Sequence, residues 1–147
     1  MSLKKNLRKI QLKIKQQFLT QKLQMSKFYV VATPIGNMGD ITLRAIETLK
    51  AVDLILCEDT RETKKILEKY NINKPTMSYH SHSKLAKIDK IFELLEEGKD
   101  LALVSDAGTP GISDPGSMLV QKVREALPEV KIESVPGPSA LTAALSI

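Results

Sequence analysis

Along the chain, short continuous apolar runs alternate with apolar stripes at helical spacing. Phe28–Ala32 is β-branched and aromatic, apolar on both faces, and reads as a buried parallel strand. Leu54–Cys57, the Pro-bounded Thr76–Tyr79, Leu101–Val104 and Lys131–Val135 read as four more strands. Between them lie helical segments. Thr42–Lys50 carries Leu43, Ile46 and Leu49 at spacings of three, with Asp40 expected as its N-cap. Glu62–Tyr70 follows the second strand, with Asp59 or Thr60 expected to cap it. Lys84–Glu97 sets Leu85, Ile88, Ile91, Phe92 and Leu95 on one face, and Gly98 stands where a terminating glycine belongs. Ser117–Ala126 and a helix starting near Ala140 complete the pattern. Five strands alternating with helices predict an α/β fold, a five-stranded mostly parallel sheet with helices on both faces. Every chemically unusual loop then falls after a strand and before a helix, at the edge where open α/β sheets bind ligands.

The first 24 residues do not fit this alternation. Leu3, Leu7, Ile10, Ile14 and Phe18 form one helical stripe on a basic background, so residues 1–24 read as a basic amphipathic extension. An RNA-contacting arm, a membrane-surface helix and an organellar presequence are the functional readings. The alternative is an extension with no function, because Met25-Ser26-Lys27 reads as a natural start. The domain proper is then 25–147, a length that suits one hydrophobic core. The last helix carries no terminating Gly, Asn or Pro, so the chain reads as interrupted there.

Charge sharpens this division. Of 22 Lys and Arg and 17 Asp and Glu, seven of the basic residues and none of the acidic ones lie in residues 1–24. The remainder holds 15 basic against 17 acidic residues, so the domain itself is slightly acidic and carries no overall basic footprint for nucleic acid. No run approaches the roughly 18 apolar residues of a membrane span. The lone Cys57 builds no internal disulfide, which fits a reducing cytoplasm.

Three loops carry the chemistry: Thr33–Asp40, Ser105–Gly116 and Pro136–Ser139. Their Gly and Pro content exposes backbone N–H and C=O groups on a stiff frame, suited to a polar, nucleoside-like ligand. No G-x-x-x-x-G-K-[ST] or G-x-G-x-x-G motif is present, which disfavours a nucleoside triphosphate or a dinucleotide. His80 and His82 have no Cys partner nearby, and no metal site is expected. In Glu58-Asp59-Thr60-Arg61, helix capping accounts for Asp59 and Thr60 but not for Arg61, a side chain able to grip phosphate or carboxylate.

Val30–Thr42, Glu58–Arg61, Ser105–Gly116 and Val135–Ala140, in this order and spacing, resemble the tetrapyrrole (corrin/porphyrin) methylase superfamily. Within it they are similar to the branch that methylates a cytidine ribose 2′-hydroxyl of bacterial 16S rRNA. The resemblance runs from about Phe28 to Ile147. It implies the N-terminal domain of a two-domain enzyme, usually a homodimer, with S-adenosylmethionine in the cleft between domains, so that this chain alone is expected to be inactive. It also implies cofactor-binding roles for Pro34 and Gly36 in the first loop. The same role falls to Gly108, Thr109, Pro110, Gly111, Ile112 and Asp114 in the second loop, and to Pro136, Gly137 and Ser139 in the third. Thr109 stands where many tetrapyrrole enzymes have Asp, and His80-Ser81-His82-Ser83 departs from the branch's pattern. Asp106, Asp59 and His80 are the candidate proton acceptors, Asp106 preferred, although it is equally placed to hold its loop by accepting backbone N–H bonds. Arg61 is the candidate for RNA phosphate. The competing functions are a tetrapyrrole-precursor methylase and an inactive cofactor-binding or dimerisation module.

Overall fold

The computed structural model describes residues 2–80 and 85–147. In chain order the elements are α1 (Ser2–Met25), β1 (Lys27–Val31), a 3-10 turn (Met38–Asp40), α2 (Leu43–Ala51), β2 (Leu54–Cys57), α3 (Thr60–Lys69), β3 (Thr76–Ser78), α4 (Leu85–Glu96), β4 (Leu101–Leu103), α5 (Gly116–Ala126), β5 (Lys131–Val135) and α6 (Ala140–Leu145). The five strands form one sheet, order β3-β2-β4-β1-β5, and every pairing is parallel.

Period-two alternation divides the core between the two faces. On β2, Leu56 points to the face covered by α4 and α5, where Phe28, Leu101, Ile91, Leu95, Leu119 and Val123 are buried. Its neighbours Ile55 and Cys57 point to the other face and meet Ala45 and Leu49 of α2 and Ile66 and Leu67 of α3. Burial pushes the Cys57 thiol up, so it behaves as a small apolar side chain.

The register aligns the carboxyl ends of the strands. Val30 is level with Leu103, Leu56 with Leu103, Cys57 with Ser78, and Val31 with Val135. The pairing continues one residue further, with Ala32 N–H donating to Val135, Val104 N–H to Leu56 and Tyr79 N–H to Cys57. The segments beginning at Thr33, Glu58, His80, Ser105 and Pro136 therefore leave the sheet at one edge. At the opposite edge Asp100 accepts the Lys27 N–H and Asp53 accepts the Asp100 N–H, which fixes the strand starts.

The cap of α2 differs from the sequence expectation. Asp40 ends the 3-10 turn, and Thr42 is the N-cap, accepting the Ala45 N–H at 3.1 Å. Asn37, accepting from Gly39 N–H, starts that turn and places Asp40 too early for the helix. Asp59 does cap α3, accepting the Arg61 N–H, and Gly98 follows α4 with its N–H on the Leu95 carbonyl. The expected helix over residues 1–24 forms as α1, which meets α4 where Lys15, Phe18 and Leu19 face Glu93, Glu96 and Glu97. Leu7, Ile10, Ile14 and Phe18 of its apolar stripe remain exposed, Phe18 at 63%.

Candidate functional site

Helices α2 and α3 lie on one face, α4 and α5 on the other, so the connections leaving β1 and β4 diverge to opposite faces of the sheet. That divergence between adjacent parallel strands is the switch point at which open α/β sheets form their ligand crevice. Here Thr33 and Gly108 clasp the two loops by an antiparallel bridge, N–H to C=O in both directions at 2.9 and 3.1 Å. Buried Thr33 adds an Oγ1 bond to the Ser105 carbonyl, and the Ser105 hydroxyl donates to the Ala107 and Gly108 carbonyls. Gly108 has φ +78°, and a Cβ there would stand 3.4 Å from Ile35 Cγ2. Gly111 has φ +84°, with Ser117 N 3.2 Å from where its Cβ would be. An L side chain at either position is strained by its backbone.

The loop after β4 then turns about Asp114. Its carboxylate accepts the Gly111 N–H at 2.9 Å and the Gly116 N–H at 2.7 Å, which starts α5 without a side-chain cap from Pro115. Two carboxylates link this loop to the end of β2. Asp106 Oδ1 accepts the Asp59 N–H at 3.2 Å, and the Asp106 backbone in turn hydrogen-bonds the Glu58 carboxylate.

These loops enclose a cleft of about 470 Å³. Ile35, Ala107, Ile112, Ala140 and Leu141 give it apolar walls, and Glu58, Ser105, Asp106, Thr109, Ser113, Asp114 and Ser139 its polar groups. Burial pushes the Glu58 carboxyl up from its ordinary value. The nearby Asp106 and Asp114 carboxylates add to that, while the Asp106 backbone and His80 oppose it. Asp59 is held well below the usual carboxylate range, because its oxygens accept from Arg61 Nε at 3.0 Å, Nη2 at 2.6 Å and the Arg61 N–H.

Of the residues the sequence pointed to, Gly108, Thr109, Ile112, Asp114, Ser139 and Asp106 line the cleft. Gly137 and Ser139 line a second, more open depression beside it, with Asp40 and Thr42. Pro34 and Pro110 are buried beneath the loops, and Gly111 is bonded to Asp114. Gly36, Pro136, Arg61 and His80 are exposed and outside the cleft, and half-buried Asp59 is outside it as well. His82 lies outside the described residues. Among the described residues no three His, Cys, Asp or Glu side chains gather into a metal-binding group. Sequence reasoning missed Glu58 and the wall residues Ile35, Ala140 and Leu141. The available signal for Glu58 was an acid one residue beyond a fully apolar strand, at the edge where the other loops also leave the sheet.

The family model for Tetrapyrrole (Corrin/Porphyrin) Methylases matches residues 27–147, all of the sheet and its helices. The chain belongs to this family. Among curated members, the chain is 52% identical over 120 residues to "Ribosomal RNA small subunit methyltransferase I" of Mycoplasmopsis pulmonis, covering 82% of this chain and 53% of that protein. It is 52% identical over 124 residues to the protein of the same name from Thermotoga maritima, covering 84% and 54%. The chain thus spans about half the length of these family members. Solved structures share the fold at lower identity. A cobalt precorrin-4 methyltransferase matches with TM-score 0.62 at 21% identity, over 85% of this chain and 51% of that one. The uroporphyrin-III-C-methyltransferase of Thermus thermophilus matches with TM-score 0.60 at 21% identity, over 82% and 50%. Within the family, the β4 and β5 loops and the Thr33–Gly108 clasp lie in the matched region. No described helix is long and apolar enough to cross a membrane.

Proposed function

We propose that this chain supplies the N-terminal, cofactor-binding half of an S-adenosylmethionine-dependent methyltransferase acting on a cytidine ribose 2′-hydroxyl of 16S rRNA. The carrying observation is a preformed cleft at the switch point of a family fold, in a chain half identical to proteins named for small-subunit rRNA methylation. The cleft chemistry fits the cofactor. Ile35, Ile112 and Leu141 offer apolar surface for an adenine, Ser139 and Thr109 offer hydroxyls, and Glu58 and Asp106 offer negative charge to a sulfonium or ammonium group. The bound cofactor would supply an electrophilic methyl group in line with the incoming hydroxyl.

The chain's own acids then handle the proton. Asp59 is unsuited, because Arg61 keeps it charged and weakly basic. Asp106 lines the cleft with one oxygen engaged by the Asp59 N–H. Glu58 lies beside it with its basicity raised, which moves it toward the range a general base needs. Asp106 and Glu58 are therefore the pair assigned to accept the 2′-hydroxyl proton. The enzyme is read as a homodimer acting in the cytoplasm, with its second domain completing the cleft.

Titration calorimetry of this chain with S-adenosylmethionine tests the cofactor assignment. One wall of a shared cleft gives an expected dissociation constant of about 0.1–1 mM, or about −5.5 to −4.1 kcal/mol. Micromolar binding would overturn the need for a second domain, and no heat at all would overturn the cofactor site. Methyl transfer to 30S subunits but not to a tetrapyrrole precursor, by the complete two-domain enzyme, tests the substrate.

A further inference from the structure

A further depression runs along the β3 flank of the sheet, from Thr60 and Arg61 at the carboxyl edge, next to the Asp59–Asp106 link, to Ile72–Lys74 at the amino ends of the strands. Its volume is about 490 Å³, and Thr60, Arg61, Lys64, Glu68, Asn73 and Lys74 are its polar lining. Arg61, Lys64 and Glu68 stand at i, i+3 and i+7 on α3 and so share one face. Lys74 comes from the segment between α3 and β3, across the groove. The cations here are available to a ligand. Arg61 uses Nε and Nη2 on Asp59 and leaves Nη1 uncommitted, on a side chain 85% exposed. The Lys64–Glu68 pair is long, at 3.6 Å, and solvent-exposed on both sides, so it contributes little and yields readily to a competing anion. Lys74 is half-buried and makes no ion pair or hydrogen bond among the described residues.

The topology gives this groove its meaning. Among the described residues, loops after β1, β4 and β5 wall the cofactor cleft, and Glu58 at the end of β2 borders it on the side toward the groove. Glu58 lines the cleft and Thr60 lines the groove, two residues apart on one chain segment. We infer that the groove between α3 and the Ile72–Thr76 segment binds the phosphodiester backbone of a single RNA strand and leads a ribose into the cleft beyond Glu58. The inference rests on the methyltransferase reading above. Arg61, Lys64 and Lys74 against Glu68 and the Asp59 carboxylate bound to Arg61 leave a net local charge of +1, within a domain that is net acidic. Strand affinity is thereby concentrated at the approach to the cleft, because exposed charges beyond about 10 Å are screened at 0.1 M salt.

The test uses the whole 147-residue chain and a fluorescent single-stranded oligoribonucleotide, titrated over a range of salt. Lys64→Ala/Lys74→Ala removes two groove cations without disturbing the Asp59–Arg61–Asp106 link. Lys99→Ala/Lys131→Ala removes the same charge from the starts of β4 and β5, outside the groove. If each groove lysine neutralises one phosphate, the first double variant has a salt slope shallower by about 1.4 and binds roughly 25-fold more weakly at 0.1 M salt. The second double variant stays within about twofold of wild type. Equal losses in both variants, no loss in either, or no binding by wild type overturns the groove. The S-adenosylmethionine titration of the wild-type chain reads the cofactor cleft separately. Heat with the cofactor but no groove-dependent RNA binding removes only the groove, and the converse removes only the cleft.

Discussion

The loop after β4 and the loop after β2 meet at one edge but are built on opposite plans. The first runs from Val104 to Pro115 and fixes its turns internally. The Ser105 hydroxyl donates to the Ala107 and Gly108 carbonyls, Gly108 pairs with Thr33, and Asp114 gathers two glycine amides. The second is only Glu58 and Asp59, and its character comes from charge. Asp59 caps α3, binds Arg61 and donates its N–H to Asp106. The first plan gives a stiff wall of backbone, the second a row of ionised side chains on a helix. The β4 loop therefore offers a ligand a fixed shape, and the β2 end offers it charge.

Disrupting the shaped loop has the largest expected effect. Gly108→Val places a β-branched side chain at φ +78° beside Ile35, and is expected to cost about 3 kcal/mol by thermal or urea unfolding. It also abolishes cofactor heat in calorimetry. A variant as stable as wild type would mean that the clasp does not set the loop. Asp114→Ala leaves the Gly111 and Gly116 N–H groups without their acceptor. The expected loss is about 2 kcal/mol, with cofactor affinity falling alongside stability. Affinity lost at unchanged stability would instead make Asp114 a ligand contact.

The charged loop predicts smaller changes with a pH signature. Asp59→Ala removes the α3 cap and frees Arg61, for a loss of stability smaller than that of Asp114→Ala. Because the folded-state affinity of Asp59 for protons is lowered, its contribution is present above about pH 3.8 and disappears as acid is added below that. Unfolding curves of wild type and variant should converge at low pH. Glu58 has the opposite sign. Its proton affinity is raised in the folded state, so the ionised form is a burden that grows as pH rises above about 4.5. Glu58→Gln should gain at most about 0.5 kcal/mol at neutral pH and nothing at pH 4. A variant less stable at neutral pH would mean that the Glu58 charge holds the loop.

The inner strand-helix units were legible because β1, β2 and β4, flanked by strands on both sides, are predominantly apolar, and helices keep a one-sided stripe. Strand order was not, since nothing local in Phe28–Ala32 records that β1 sits between β4 and β5. The three convergent loops were legible as Gly/Pro clusters, yet two of their prolines work beneath the surface. Pro34 and Pro110 are buried, while Ile35 and Leu141 form walls. Arg61 looked unexplained because Asp59 was assigned to capping alone, whereas one carboxylate serves both the helix amide and the guanidinium. The N-cap of α2 moved from Asp40 to Thr42 because Asn37 starts a turn of its own. The stripe on α1 predicted a helix correctly but not a contact, for periodicity records a helical face and not what covers it.

The Thr33–Gly108 bridge also bears on speed. It joins loops 75 residues apart in the chain during folding itself, so the floor of the cleft exists before any ligand arrives. The entropy of ordering that floor is charged to folding and not to binding. Encounter with a small cationic ligand is then limited by diffusion and electrostatic attraction, not by waiting for a loop to close on this side. Any slow step in engagement then lies outside this clasp.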